Sequence, residues 1–229
     1  MGVHANLAIE ALGQAPHRFH PQAVDGHTAL ESGAEIEQGL PDQPVVFIGD
    51  PEVPGVPYIE LDNKAAARLA TQHLIDRGAR RIGTITGPMD MSSARQRLAG
   101  FQEVMAEAGL DASLFVEGGY NAQSGQVVEQ LLARAPDLDG VFAANDLMAV
   151  TAMGVLQRLG RRVPEDVRII GFDDASIGRQ CTPQLTTMTN PAAEHARVAA
   201  ELLIEILAGG VPETRNLMAA SQLVVRGST

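Results

Sequence analysis

The chain has 229 residues, 45% of them hydrophobic, and a net charge of −11 at pH 7, which fits one large or two small globular domains. Negative charge disfavours gripping a nucleic-acid backbone, so we expect no sequence-specific DNA binding by this chain alone. Its single cysteine excludes an intrachain disulfide, and no apolar run reaches the ~20 residues of a membrane span.

Residues 1–43 show little pattern. Asn6 to Leu12 predicts a short helix, and the rest lacks periodicity, so we expect a poorly packed segment outside any domain. The start lacks a basic region followed by a long apolar core, so we expect no signal peptide and a cytoplasmic protein.

Histidines in this segment raise the question of a metal site. His17, His20 and His27 stand close together in sequence, but no cysteine or carboxylate follows at ligand spacing. A solvated loop is the favoured interpretation, and we expect neither metal nor cofactor.

From residue 44 onward, strands and helices alternate with short loops. Strands are predicted at 44–50, 58–61, 82–86, 114–116, 141–144, 167–172, 185–189 and 221–226, and helices at about 64–77, 93–108, 122–135, 147–159 and 191–207. The segment 175–184 reads as irregular. This alternation predicts an α/β fold with a mainly parallel, doubly wound sheet and right-handed crossovers.

The stretch from Val141 to Asp174 organises this pattern as strand, helix and strand. Asn145 follows the first strand and begins the helix, and Asp173 follows the second strand. Ligands bind beyond the carboxyl ends of strands in open α/β sheets. The two side chains are therefore predicted to face one cleft.

Further polar side chains follow the predicted strands. An arginine donates, an asparagine donates and accepts, an aspartate accepts, and an aromatic ring offers a stacking face. This mixture suits a small polyhydroxylated ligand, whereas the alternative is ordinary helix capping and surface pairing, and spacing alone does not decide. The residues are Ser93, Arg95, Arg97, Tyr120, Asn145, Asp146, Asp173 and Asp174.

Eight short motifs, taken in order and spacing, resemble the effector-binding core of the lactose-repressor-like (LacI/GalR) family of transcriptional regulators. They are Asp62-Asn63 at a helix start, His73-Leu74-Ile75 before Gly78 and Arg81-Ile82, Ile85-Thr86-Gly87-Pro88, the run Ser93–Phe101, the run Ala144–Ala149, the run Ile169–Asp174, the run Pro183–Thr187, and the run Leu223–Arg226. The resemblance covers roughly Pro44 to the last residue.

The resemblance implies a type I periplasmic-binding-protein-like fold of two α/β lobes with the effector between them. Residues 44–60 and 187–218 would be a remnant of lobe one, and residues 61–186 and 219–229 would form lobe two, which binds effector and dimerises. It also implies sugar-contacting roles, which fall on Arg97, Asn145, Asp173 and Tyr120, with Ser93 beside them.

The resemblance further implies a homodimer, whose interface would include Met148, Val150, Gln180 and Cys181. The alternative is that Met148 and Val150 are simply core. Operator DNA would be bound only through a helix-turn-helix domain, which is absent from this chain. Residues 1–43 resemble neither that domain nor the start of lobe one, so we expect a truncated or frame-disrupted gene product, or an excised fragment.

Arg97, Asn145 and Asp173 are expected to act as one ligand clamp. In a solvent-facing cleft, loss of Arg97 should weaken effector binding by roughly one to two orders of magnitude and barely change folding. The alternative is that Arg97 pairs with Asp173 merely to brace the lobe.

The expected function is effector sensing in a transcriptional regulator, where ligand shifts the population between states of different DNA affinity. A transport-type sugar-binding protein of the same fold is one alternative, but it needs a signal peptide. A doubly wound enzyme is another, yet the sequence lacks G-x-S-x-G, G-x-x-x-x-G-K-[ST] and a G-x-G-x-x-G after a strand.

Overall fold

The structure is a computed structural model that describes residues 6–9, as backbone only, and residues 45–210 and 216–229. The chain divides into two compact units. The small unit holds the described residues of Met1–Leu12, Pro16–Leu61 and Pro191–Ala219, and the large unit holds Asp62–Asn190 and Ala220–Thr229.

Ten strands and six α-helices lie within the described residues. The strands are β1 (Asn6–Ile9), β2 (Val45–Ile48), β3 (Tyr58–Leu61), β4 (Ile82–Thr86), β5 (Phe115–Glu117), β6 (Gly140–Ala143), β7 (Arg168–Asp173), β8 (Thr186–Thr189), β9 (Asn216–Ala219) and β10 (Leu223–Val224). The helices are α1 (Asn63–Asp76), α2 (Ser92–Glu107), α3 (Val128–Arg134), α4 (Asp146–Arg158), α5 (Ser176–Gln180) and α6 (Ala192–Leu207). A 3-10 helix, Ala122–Val127, precedes α3.

The small unit is a parallel four-stranded sheet in the order β1-β2-β3-β9. Apolar side chains of β2 and β3, among them Val46 and Ile59, pack with Leu202 and Leu203 of α6. The helix predicted from Asn6 is wrong over Asn6–Ile9, because these residues pair with β2 as a strand. The other residues of the predicted unassigned segment lie outside the described part of the chain.

The large unit is a six-stranded sheet in the order β10-β8-β7-β6-β4-β5. All neighbours are parallel except β10 and β8, so the predicted fold of a mainly parallel sheet is confirmed. The order places β4, β6 and β7 side by side, and their carboxyl ends therefore share one edge. The bounds of β6 and β7 differ by one residue from the predicted strands, which are Val141–Ala144 and Val167–Phe172.

Helices cover both faces of this sheet. Val141 and Ile169 pack in a cluster with Met148 and Leu156 of α4. Side chains alternate along a strand, so Phe142 and its neighbours on that face point the other way, toward the side where α1 contacts β6, β7 and β8. The two-sided cover explains why these strands read as continuous apolar runs.

Two local elements differ from the sequence prediction. The predicted helix 122–135 is a 3-10 helix followed by α3, and Asn121 caps its start by accepting the Ser124 N–H. The segment predicted to be irregular after Asp174 contains the one-turn helix α5. None of the helices in the described ranges is long and apolar enough to cross a membrane.

Candidate functional site

The predicted site residues lie at the carboxyl edge of the large unit's sheet. Arg97 comes from α2, Asn145 is the second residue after β6, and Asp173 is the last residue of β7. Tyr120 follows β5, and Ser93 lies in the first turn of α2. Parallel strands with right-handed crossovers bring these five positions to one edge of the sheet.

Arg97 is held from three sides within the large unit. Its Nε donates to Asn63 Oδ1 at 2.9 Å, and its Nη1 donates to the Ala144 carbonyl at 2.5 Å. Its guanidinium carbon lies 3.6 Å from the centre of the Phe172 ring, a cation–π stack, and 5.9 Å from that of Tyr120. The guanidinium is therefore fixed in position and orientation.

This setting corrects one expectation. Arg97 is only 4% exposed, so the predicted solvent-facing position is wrong, and its loss will disturb the fold as well as the site. The two bonds use two of its five N–H groups, and the other three have no acceptor among the described residues. No ion pair joins Arg97 to Asp173 in this part of the chain, and the hydrogen bonds of Arg97 go to Asn63 and Ala144 instead.

Asn145 combines a capping role with its place at the edge. Its Oδ1 accepts the Met148 N–H at 2.9 Å and so caps α4, while its Nδ2 donates to the Tyr120 carbonyl at 3.2 Å. The side chain is 3% exposed. Asn145 thus connects the Tyr120 turn to α4. Its position fits the interpretation as a ligand-binding residue, and its bond to Met148 fits the interpretation as a helix cap.

Tyr120 presents its ring beside the arginine. Its backbone is left-handed, with φ of 56°, and its hydroxyl lies 3.5 Å from Ser93 Oγ. A Cβ at Gly87 would lie 2.1 Å from the ring, so only glycine leaves room for the tyrosine at that position. The aromatic ring, Ser93 and Arg97 therefore lie close together at this edge of the sheet.

Asp173 supplies the acceptor. It is left-handed with φ of 107°, and its Oδ1 accepts from Asn190 Nδ2 at 3.1 Å. Burial raises the pKa of the Asp173 carboxyl above its usual range, while Arg97 and the bond from Asn190 oppose the rise. Arg97 thus acts on Asp173 through its field.

Sequence reasoning missed Asn190. It follows β8 directly, and β8 is the next strand beyond β7, so the rule that selected Asn145 and Asp173 also selects it. Its Oδ1 is buried and has no hydrogen-bond partner among the described residues, while its amide nitrogen holds Asp173. It therefore adds an unused acceptor to the edge.

Asp146, a candidate by spacing, has a different place. It is 1% exposed, and its Oδ2 accepts the Ala175 N–H at 2.7 Å while its Oδ1 accepts the Thr187 hydroxyl at 2.6 Å. Burial raises its pKa to about 7, against the lowering effect of these two bonds, and Asp173 and Asp174 add to the rise. This carboxyl lies beneath the edge, among strand and helix ends.

The predicted dimer residues are divided by the structure. Met148 is fully buried in the large unit's core. The alternative interpretation, in which Met148 is a core residue, therefore describes it better than the predicted contact with a partner subunit. Val150 is half-buried against the same cluster. Gln180 is exposed at the end of α5, and Cys181 is half-buried, with its thiol donating to the carbonyls of Gly178 and Pro183.

Metal ligands do not cluster in the part of the chain that the structure describes. No group of three or more histidine, cysteine, aspartate or glutamate side chains there is placed to hold an ion. His17, His20 and His27 lie outside the described residues. The edge offers donors, acceptors and an aromatic ring, which are the groups that bind hydroxyls.

Comparison with known proteins gives a consistent picture. A family model described as a periplasmic binding protein-like domain matches residues 71–229. The HTH-type transcriptional regulator CelR of Thermobifida fusca is 41% identical over 217 residues, which make up 90% of this chain and 64% of CelR. This chain therefore spans just under two thirds of the length of that relative.

Solved structures agree with the sequence matches. A complex of the transcriptional regulator CelR with cellobiose matches with a TM-score of 0.77 at 40% identity, covering 82% of this chain and 59% of the other. A sugar-binding LacI-family transcriptional regulator of Escherichia coli matches with a TM-score of 0.77 at 31% identity, covering 86% and 73%.

Proposed function

This chain belongs to the periplasmic-binding-protein-like domain family, among the LacI-type transcriptional regulators, and we propose that it senses a sugar-like effector at the carboxyl edge of its large unit. In this proposal, Arg97 and Asp173 bind hydroxyl groups and Tyr120 packs against the sugar ring. Asn145 and Ser93 hold the wall on which the ligand rests.

One observation carries this proposal. Arg97 is fixed by Phe172, Asn63 and the Ala144 carbonyl, yet three of its N–H groups have no acceptor among the described residues. The Arg97 Nη2 group bonds to no described residue, and it is not among the fully buried atoms of those residues that lack a partner, so its N–H groups are accessible from outside. Donors held in place but not used fit a ligand supplied from outside.

The effector acts, in this proposal, by shifting a conformational equilibrium. Ligand that binds one arrangement more tightly than another shifts the population by its differential affinity, and the DNA affinity of the longer regulator changes accordingly. The relatives support this, since CelR is an HTH-type transcriptional regulator and one of its structures is a complex with cellobiose.

The relatives are named as transcriptional regulators, which supports a role without catalysis. We further propose that this chain works in the cytoplasm as a homodimer. Operator DNA would be contacted through a helix-turn-helix of the kind named for CelR.

The test uses Asp173→Asn with calorimetry against cellobiose, ribose and glucose. Asparagine tolerates the left-handed backbone but removes the charged acceptor. Because a hydrogen bond to a charged group is worth ~1.5–3 kcal/mol, we expect affinity for the bound sugar to fall by about one to two orders of magnitude.

The matched control is Asp166→Asn. Asp166, like Asp173, accepts a side-chain hydrogen bond, in this case from Arg162, but it lies on the surface between α4 and β7. Its removal should leave sugar affinity unchanged. Equal affinity of Asp173→Asn and wild type would contradict the site, and wild type that binds none of these sugars or other small polyols would contradict the function.

A further inference from the structure

The loop that carries Asp173 has an unusual backbone. Asp173 and Asp174 both have positive φ, 107° and 51°, and neither is glycine. Residues with a Cβ rarely adopt this region, so two in succession persist only where surrounding contacts hold them. The direction in which Asp173 presents its carboxylate therefore depends on whatever fixes this loop.

A buried carboxylate fixes the loop from below. Asp146 Oδ2 accepts the N–H of Ala175, the residue directly after the two strained positions, at 2.7 Å. Its Oδ1 accepts the Thr187 hydroxyl at 2.6 Å, and the Thr187 oxygen in turn accepts the Asp174 N–H at 3.4 Å. Asp146 thus reaches the loop directly and through β8.

Two glycines make room for the Asp146 side chain. A Cβ at Gly171 would lie 2.3 Å from Asp146 Oδ1, and a Cβ at Gly178 would lie 3.3 Å from Oδ2. Two chain segments therefore approach the carboxylate as closely as glycine allows. At 1% exposure, Asp146 is enclosed by protein and has almost no surface to offer a ligand.

We propose that Asp146 is the positioning residue for Asp173: its carboxyl group holds the loop at residues 173–175 and keeps Asp173 and Asp174 in the left-handed conformation that directs Asp173 toward the effector. This inference rests on the proposed function for the effector and on the loop geometry for the mechanism. Outer partners of this kind set the precision of a site built on strand ends.

The first variant is Asp146→Ala, made in the full 229-residue chain. It removes both acceptors, so we expect exchange of the Ala175 amide to quicken, and cellobiose affinity to fall, by at least about ten-fold each. Asp146→Asn retains one oxygen for the Ala175 N–H and can donate to Thr187, so it should stay within about three-fold of wild type in both measurements.

The matched control is Asp139→Ala. Asp139 also accepts backbone N–H groups, those of Arg80 and Arg81, but lies before β6 at the opposite end of the sheet. Its loss should lower the melting temperature and leave both Ala175 exchange and cellobiose affinity unchanged. A purely structural Asp146 would behave in the same way, and that result would overturn the proposal.

The remaining outcomes are also decisive. If Asp146→Ala does not fold, wild type and Asp146→Asn provide the test. Rapid exchange of the Ala175 amide in folded wild type would overturn the proposal, and so would a ten-fold loss of cellobiose affinity in Asp146→Asn. If wild type does not bind cellobiose or any other sugar, the proposed function fails, and Ala175 exchange in wild type and Asp146→Ala alone decides whether Asp146 holds the loop.

Discussion

At the scale of single residues, Arg97 shows how a site residue can also be a structural one. Its guanidinium stacks on Phe172 and bonds to Asn63 and the Ala144 carbonyl, three segments far apart in sequence. The sequence predicted the residue from its position beyond a strand. Its burial could not be predicted, because burial depends on side chains that only the folded sheet brings around it.

We predict that Arg97→Ala lowers both effector affinity and stability. It removes the hydrogen bond to Asn63 Oδ1, the bond to the Ala144 carbonyl and the stack on Phe172, so the free energy of unfolding should fall by about 2–4 kcal/mol. Arg97→Lys keeps the charge but loses the planar fork, and it should restore less than half of either loss. Calorimetry and thermal melts measure the two effects.

The matched control for Arg97 is Arg134→Ala. Arg134 also donates to two carbonyls, those of Phe115 and Ser113, but from an exposed position on α3. We expect a small loss of stability and no change in affinity. Loss of stability without loss of affinity in Arg97→Ala would leave only the bracing interpretation.

Asp146 makes stability depend on pH. Its folded pKa is about 7 and its unfolded pKa is ~3.9, so the folded chain keeps a proton that the unfolded chain has released. Its contribution to stability is therefore full below pH ~4 and is lost as the pH rises to about 7. Asp146→Asn does not titrate at this position. We therefore predict that its free energy of unfolding, relative to that of wild type, rises by roughly 2 kcal/mol between pH 5 and pH 7.

The comparison has to be made as a difference, because other charged and polar groups surround Asp146. Asp173 and Asp174 face Asp146 from the end of β7, Cys181 lies beyond α5, and Arg179 and Arg226 pair with Asp174. Urea unfolding of both proteins at each pH cancels what they share. A constant difference across this range would show that Asp146 is ionised throughout.

At the scale of elements, helix caps connect the fold to the site. Asn145 caps α4 and also bonds to the Tyr120 carbonyl. We predict that Asn145→Ala lowers the free energy of unfolding by about 1–2 kcal/mol and weakens sugar affinity by about ten-fold or more, because the Tyr120 turn loses its tie. Denaturant unfolding and calorimetry measure these effects.

Asn121→Ala is the corresponding control. Asn121 caps the 3-10 helix by accepting the Ser124 N–H. The variant therefore loses a helix cap of the same kind as Asn145→Ala does. Asn121 Nδ2 donates to the Gly119 carbonyl at 3.3 Å but does not tie the Tyr120 carbonyl to α4, so its loss should affect stability more than affinity. Equal affinity losses in the two variants would mean that Asn145 has no special part in the site.

Elements with strong local signals could be predicted from the sequence, and the others could not. The strand at Ile82–Thr86 and helices α1, α2, α4 and α6 agree within one or two residues, because caps, glycines and apolar periodicity coincide there. Strand β9 was missed because its four residues form a strand only by pairing with β3. One-turn helix α5 is likewise too short for periodicity to reveal.

At the scale of the whole molecule, self-association remains a prediction. Met148 is core, but Gln180 is exposed and Cys181 and Val150 are half-buried, so the surface near α5 is still a candidate. We predict a dimer in sedimentation at about 50 µM, a concentration at which a Kd of ~1 µM leaves little monomer.

The variant Gln180→Arg tests whether the surface near α5 forms the dimer interface. It places a charge at the predicted interface and should shift the chain toward monomer, whereas Gln130→Arg, on the exposed side of α3, should not. Wild type that sediments as a monomer at this concentration would count against a dimer through the large unit.

The division of the sheet between two distant stretches of chain has a consequence for synthesis. The large unit takes strands β4 to β8 from Asp62–Asn190, but β10 and Ser228, which bonds to Ile169 and Thr186, come from Ala220–Thr229. A ribosome adds roughly 5–20 residues per second, so for some seconds the nascent chain displays β8 with one edge unpaired. An open edge of this kind recruits foreign strands, and slow translation through residues 191–219 should favour capture by chaperones or by neighbouring nascent chains.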